Sequence, residues 1–176
     1  MIAAKYNGLT LDLPSFTFGE TNKEASFLEK FPFGKVPALE TADGLFISES
    51  NAISYYVAAA KKDTILFGSG VADAARVQMF INIADNEITP AAATWIYPIL
   101  GFVQFNKQNT EKAKADLTKT MTVLNQILES RTYLVGEAPT LADIHVVVAL
   151  LHLYKMVSFH YYYYYFLFYD FMFCFV

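Results

Sequence analysis

Phe31-Pro32-Phe33-Gly34-Lys35-Val36-Pro37-Ala38-Leu39, read together with Glu49-Ser50-Asn51-Ala52-Ile53, decides the fold of this chain. The first stretch sets an X-Pro bond just ahead of an apolar run. The second places an acid and a hydroxyl at the start of a helix. Between them, Val36 to Glu40 and Leu45 to Ser48 flank Asp43-Gly44, a dipeptide suited to chain reversal, and this predicts a hairpin. Turn, hairpin and helix start outline a pocket for a small anionic peptide. From the residues alone, Val36-Pro37 reads as a cis turn or as an ordinary trans turn before a strand, since only about 5–6% of X-Pro bonds in folded proteins are cis. Glu49 and Ser50 sit where a helix offers unpaired N–H groups and partial positive charge, which suits a ligand carboxylate. From the residues alone they read first as self-capping, with Ser48 or Ser50 accepting helix N–H groups and Glu49 complementing the dipole, a role that does not exclude a ligand.

Working outward, Met1 to Tyr6 is helix-like and Asn7-Gly8 is its C-cap signal, so the segment reads as the tail of a helix. Leu9, Leu11 and Leu13 alternate with polar residues and predict a short strand. Phe16 to Glu20 is loop, and Asn22 to Lys30 a short helix anchored by Phe27 and Leu28. The helix opened by Ser48 or Glu49 carries Ile53, Tyr56 and Val57 on one face. From Val71 the pattern turns helical. Ala74, Val77, Ile81, Ala84 and Ile88 recur at helical spacing, as do Ala113, Leu117, Met121, Leu124 and Leu128. Pro90 and Pro98 bracket Trp95, which predicts a loop or kink there. Thr140-Leu141-Ala142-Asp143 is a capping box, and the helix it opens is apolar nearly all round, as a core helix would be.

The domain organisation predicted is therefore a mixed segment over 1–62, a linker over 63–70, an all-helical segment over 71–157 and an aromatic tail over 158–176. The 176 residues carry 55% hydrophobic and 17% charged side chains, with a net charge of −4. That balance and the lack of a basic stripe argue against a direct nucleic-acid partner. Cys174 is the sole cysteine, so an internal disulfide and a C-x-x-C redox pair are excluded. These features are compatible with a cytoplasmic protein.

The motifs together resemble the glutathione-transferase superfamily, an α/β thioredoxin-like N-terminal half joined to an all-α helical C-terminal half. Gly34 to Leu39 is similar to its cis-proline turn, Glu49 to Ile53 to its ligand-holding helix start, and Thr140 to Asp143 to the cap of its core helix. A narrower resemblance is to the glutathione-transferase-like N-terminal domain of the elongation factor 1 gamma-subunit family. It runs through Phe18 to Asn22, Phe27 to Pro32, Glu49 to Val57, Thr94 to Pro98, Asn106 to Glu111 and Arg131 to Glu137, and fades after Lys155. The asparagine-lysine-glutamine run at Asn106 to Gln108 is what favours this subgroup.

The resemblance implies a cis Val36-Pro37 bond that turns the Val36 backbone outward, so that a ligand's cysteinyl backbone can pair with it. It implies glutathione as ligand or substrate, with its carboxylate at the α-helix start beside Ser50 and its ammonium facing Glu49. Lys35 would steady the glycine carboxylate, although an exposed lysine beside a turn is usually only solvated. A transferase also needs a hydroxyl near the ligand sulfur to favour the thiolate. In the family that donor follows the first strand, and this sequence begins inside the helix after it, so the thioredoxin-like half reads as incomplete. No catalytic role can be carried onto any residue, and Tyr6 reads as packing. The partner implied is the guanine-nucleotide-exchange subunit of the elongation factor, in translation elongation, with a homodimer left open. The alternative is an enzyme conjugating glutathione to small electrophiles.

Other constellations fail. His145 and His152 lie about 10.5 Å apart along one helix and cannot share a metal, so no metal site is predicted. Gly34-Lys35 has neither the upstream glycine nor the following hydroxyl of a phosphate loop. The tail from Ser158 contains five consecutive tyrosines, Tyr161 to Tyr165, and then phenylalanines interleaved with other residues from Phe166 to Phe175. As a helix it would reach roughly 28 Å, barely a bilayer core, and it would bury Asp170. A membrane anchor is therefore disfavoured, and the tail reads as non-native translated sequence from a retained intron or shifted frame.

Overall fold

The computed structural model describes residues 1–158, which form two compact units meeting in sequence between Thr64 and Ile65. The first unit runs α1 (Ile2–Asn7), a 3-10 turn at Thr21–Lys23, α2 (Ala25–Lys30), β1 (Ala38–Glu40), β2 (Phe46–Ser48) and α3 (Ser50–Ala59). α1 stops where Gly8 adopts φ 69°, a left-handed cap whose N–H returns to the carbonyls of Ala4 and Lys5. α1 packs on α3, with Ala3 and Ala4 buried on one side and Val57 and Ala58 on the other. Asn7 completes this joint. Its Nδ2 donates to the Val57 and Ala58 carbonyls at 2.9 Å each, and its Oδ1 accepts from Thr64 Oγ1 at 2.9 Å.

The hairpin pairs Ala38 with Ser48, Leu39 with Ile47 and Glu40 with Phe46, antiparallel. Thr41 ties its loop: the Thr41 N–H donates to the Leu45 carbonyl at 3.0 Å, and the Leu45 N–H donates to Thr41 Oγ1 at 2.9 Å. A chain of rings, Phe16 to Phe27 to Phe31 to Phe46, with centroids 5.1 to 6.0 Å apart, links the turn to β2. Phe31 is the buried member.

The strand expected over Leu9 to Leu13 is not formed. That segment is irregular, Leu9 and Leu13 are exposed, and the sheet of the described residues has two strands only. Alternation decides which face of a strand would be buried, but a ladder also needs a neighbouring edge to bond with. The helix expected over Asn22 to Lys30 is broken at Glu24, whose extended backbone (ψ 144°) separates the 3-10 turn from α2.

The second unit contains α4 (Val71–Ile83), a π-helical segment (Ala84–Ile88), α5 (Thr89–Ile99), α6 (Lys107–Leu128) and α7 (Leu141–Ser158). Its core is built from Val77, Phe80, Ile81, Ala84, Ile88, Ile96, Leu117, Leu124 and Leu141, with Leu66 from the segment ahead of α4. Pro90 and Pro98 lie inside α5 rather than in a loop. Pro90 follows directly on the π segment, where the Thr89 N–H returns to the Ala84 carbonyl, and Pro98 comes one residue from the end of α5.

Two expectations of burial also differ. On α6, Met121 and Leu128 are exposed while Ala113, Leu117 and Leu124 are buried. α7 packs against α4, α5 and the π segment, with Leu141, Ala142 and Val146 buried, but Val147, Leu151 and Tyr154 are exposed. An all-apolar helix shows only that it carries no polar face; which sides are buried depends on which elements reach it. No helix among the described residues is long and apolar enough to cross a membrane, and the aromatic tail lies outside those residues.

A candidate ligand-binding turn

The Val36-Pro37 bond is cis. It lies immediately before β1, and continuing the hairpin register one step past the Ala38–Ser48 pair sets Pro37 opposite Glu49. The fold thus gathers Lys35, Val36, Pro37, Glu49 and Ser50 at the open end of one hairpin. Val36 and Pro37 are partly covered, Ser50 is half-buried, and Lys35 and Glu49 are exposed.

Glu49 has the most unusual backbone of the site. At φ 72°, ψ 125° it is the one non-glycine residue with positive φ among those described. Such conformations cost of order 1–3 kcal/mol and collect at ligand clamps. Glu49 precedes α3, and its carbonyl accepts the first helical bond, from the Ile53 N–H at 3.0 Å. Its side chain makes no capping hydrogen bond to α3. Glu49 thus stands at a helix start whose partial positive charge suits an anion.

Sequence reasoning missed Asn22. It is buried, and its Oδ1 accepts the Gly19 N–H at 2.7 Å while its Nδ2 donates to the Gly34 carbonyl at 2.8 Å. A polar residue inside a short helix ahead of Phe27 gave no periodic signal; only the fold brings it against the turn.

In the helical unit, Thr140 and Asp143 cap α7. Asp143 Oδ2 accepts the Thr140 N–H at 2.8 Å, and Thr140 Oγ1 accepts the Ala142 N–H at 3.3 Å. Asp143 Oδ1 also accepts the Leu134 N–H at 2.9 Å, which pins the preceding loop. Asn106 caps α6 by accepting the Asn109 N–H at 3.0 Å, giving that run a structural job. His145 is half-buried, and burial pushes its imidazole below the usual value while Asp85 pulls it up. Among the described residues, no group of three or more His, Cys, Asp or Glu side chains could hold a metal ion.

Comparison with known proteins agrees with this architecture. The glutathione S-transferase N-terminal domain matches residues 1–59 and the glutathione S-transferase C-terminal domain residues 74–159. Elongation factor 1-gamma of Artemia salina is 52% identical over 158 residues, 89% of this chain and 36% of that protein. The human elongation factor 1-gamma is 47% identical over 161 residues, again 89% of this chain and 36% of that protein. The chain thus spans about a third of the length of these relatives. Among solved structures, a glutathione S-transferase domain-containing protein from Marinobacter aquaeolei superposes with TM-score 0.71 at 27% identity, over 86% of this chain and 78% of that one. Glutathione transferase F2 of Populus trichocarpa superposes with TM-score 0.78 at 17% identity, over 88% of this chain and 75% of that one, a likeness of fold alone. With a thioredoxin-like unit bearing the cis-proline turn and a helical unit capped at Thr140, each matched by its own domain model, the chain belongs to the glutathione S-transferase family.

Proposed function

We propose that this chain is the glutathione-transferase-like domain of a translation elongation factor 1 gamma subunit, acting in the cytoplasm as a scaffold that docks the guanine-nucleotide-exchange subunit. The observation that carries the reading is its similarity, through both units, to proteins of that name. The test is reconstitution. Purified chain and exchange subunit should co-elute as a complex, and failure of the full chain to bind would sink the docking role.

The ligand proposed for the turn described above is glutathione. The Val36 backbone would pair with the cysteinyl backbone, Ser50 and the α3 N-terminus would take a carboxylate, Glu49 would face the ammonium, and Lys35 the glycine carboxylate. Glu49's strained backbone, with its carboxylate making no capping hydrogen bond, supports a second reading in which the site serves an enzyme conjugating glutathione to small electrophiles. Thiol-conjugation turnover with an aryl halide separates the two. Turnover would favour the transferase, and glutathione binding without turnover the scaffold.

A further inference from the structure

We infer that Asn22 is a positioning residue for this peptide site, acting through Gly34 on Lys35 and Val36; the inference rests on the glutathione reading above. Asn22 is 7% exposed, so both ends of its amide need partners within the protein. They have them: Oδ1 accepts from Gly19 N–H at 2.7 Å and Nδ2 donates to the Gly34 carbonyl at 2.8 Å. Gly34 is held on further sides. Its N–H donates to the Phe31 carbonyl at 2.9 Å, and a Cβ on it would lie 3.1 Å from the Asn22 carbonyl oxygen and 3.2 Å from Leu28 Cδ2. With φ 60°, Gly34 occupies a backbone region that a side chain would strain.

The consequence follows from peptide planarity. The Gly34 carbonyl and the Lys35 N–H belong to one rigid trans unit and point in opposite directions. Fixing the carbonyl on Asn22 therefore fixes the direction of the Lys35 N–H and the entry of the chain into Val36. A site that recognises an extended ligand by backbone pairing depends on that orientation. An asparagine suits the place because the two bonds run in opposite senses, one accepted and one donated. Aspartate would keep the Gly19 bond but set a carboxylate against the Gly34 carbonyl.

The test uses the full chain, reduced glutathione and titration calorimetry, with amide NMR spectra of the unliganded protein. Asn22→Asp is expected to weaken glutathione binding about tenfold. Its amide shifts should move at Gly34, Lys35 and Val36 and stay put in α6 and α7. The loss should add to that of Ser50→Ala, which acts at the other end of the ligand, and should be non-additive with Gly34→Ala. If Asn22→Asp prevents folding, Asn22→Ser is read by the same two measurements. Affinity within twofold of wild type in a folded variant overturns the inference, as do unmoved amides at 34–36. If the wild type itself binds no glutathione, the ligand reading fails. The amide shifts at 34–36 then decide the positioning role alone: movement there supports it, and none overturns it.

Discussion

The Leu141 N–H donates to the Leu66 carbonyl at 3.0 Å, and neither residue has any exposed surface. Leu141 opens α7, so its N–H is one of the donors that a helix cannot satisfy internally. Leu66, which lies outside every helix, supplies that acceptor and fills the core with the same residue. Leu66→Ala should therefore destabilise the chain by about 2–5 kcal/mol in urea unfolding, the range for deleting a fully buried leucine. Ile65→Ala, at a neighbour 51% exposed, should stay within about 0.5 kcal/mol. Equal effects at the two positions would show that the segment is not anchored in the core.

Just beyond Leu66, two glycines that look alike in sequence have opposite requirements. Gly68 has φ 76°, and a Cβ there would collide with Asp73 Cβ. Asp73 cannot withdraw cheaply, since its Oδ2 accepts from Ser69 N–H at 3.1 Å and from Ser69 Oγ at 2.8 Å. Gly70 is extended and a Cβ on it would meet nothing within 4 Å. Gly68→Ala should cost about 2 kcal/mol or more through strain and clash, whereas Gly70→Ala should be neutral or slightly stabilising by restricting the unfolded chain. A pair of thermal melts, one per variant, decides it.

Those two glycines also show where the sequence stops informing. Gly68-Ser69-Gly70 reads as a turn between two segments, and the helical periodicity of Val77, Ile81, Ala84 and Ile88 predicts a buried face that the structure contains. The hairpin, the start of α3 and the Thr140 cap were readable because each is specified by residues within a few positions of one another. What escaped depends on distant partners. Leu66 is apolar within an apparent linker, and only the approach of α7 makes it a core residue. Asn22 and Asn7 are ordinary polar residues until the chain brings Gly34 and the end of α3 to them. Among the described residues, Leu9 to Leu13 has a strand's alternation without a paired edge, and Val147, Leu151 and Tyr154 have a core helix's composition yet are exposed. Within the site, the residue types at Glu49 and Ser50 were legible, whereas the backbone strain at Glu49 was not.

That strain gives a prediction which separates stability from ligand binding. Glu49→Gly places at φ 72° the residue that tolerates it, and should stabilise the chain by about 1 kcal/mol after glycine's own entropic cost. The same change removes the carboxylate proposed to face the ligand's ammonium, so glutathione affinity should fall. Glu49→Ala keeps the strain and loses the carboxylate; its affinity should drop without the gain in melting temperature. Parallel melting and calorimetry on both variants test this, and a Glu49→Gly protein less stable than wild type would contradict the strain argument.

His145 makes the stability of the chain depend on pH in a predictable direction. Burial lowers its pKa from the ordinary 6.5, and the opposing attraction of Asp85 is the smaller effect. As pH falls through 6.5, the unfolded chain takes up a proton at His145 that the folded chain still refuses. The unfolded state then binds more protons, so stability declines with falling pH until the folded imidazole also titrates, and levels off below that. The contribution is fully present above 6.5 and lost beneath it. Asp43 and Asp73, whose carboxyls are held below their usual range by hydrogen bonds from Thr41 and Ser69, titrate at lower pH and are common to any variant of His145. The difference in unfolding free energy between wild type and His145→Gln therefore isolates the imidazole. It should be flat from pH 8 down to about 6.5 and then move against the wild type. Were the Asp85 attraction dominant instead, the folded pKa would be raised and the wild type would gain on the variant as pH fell.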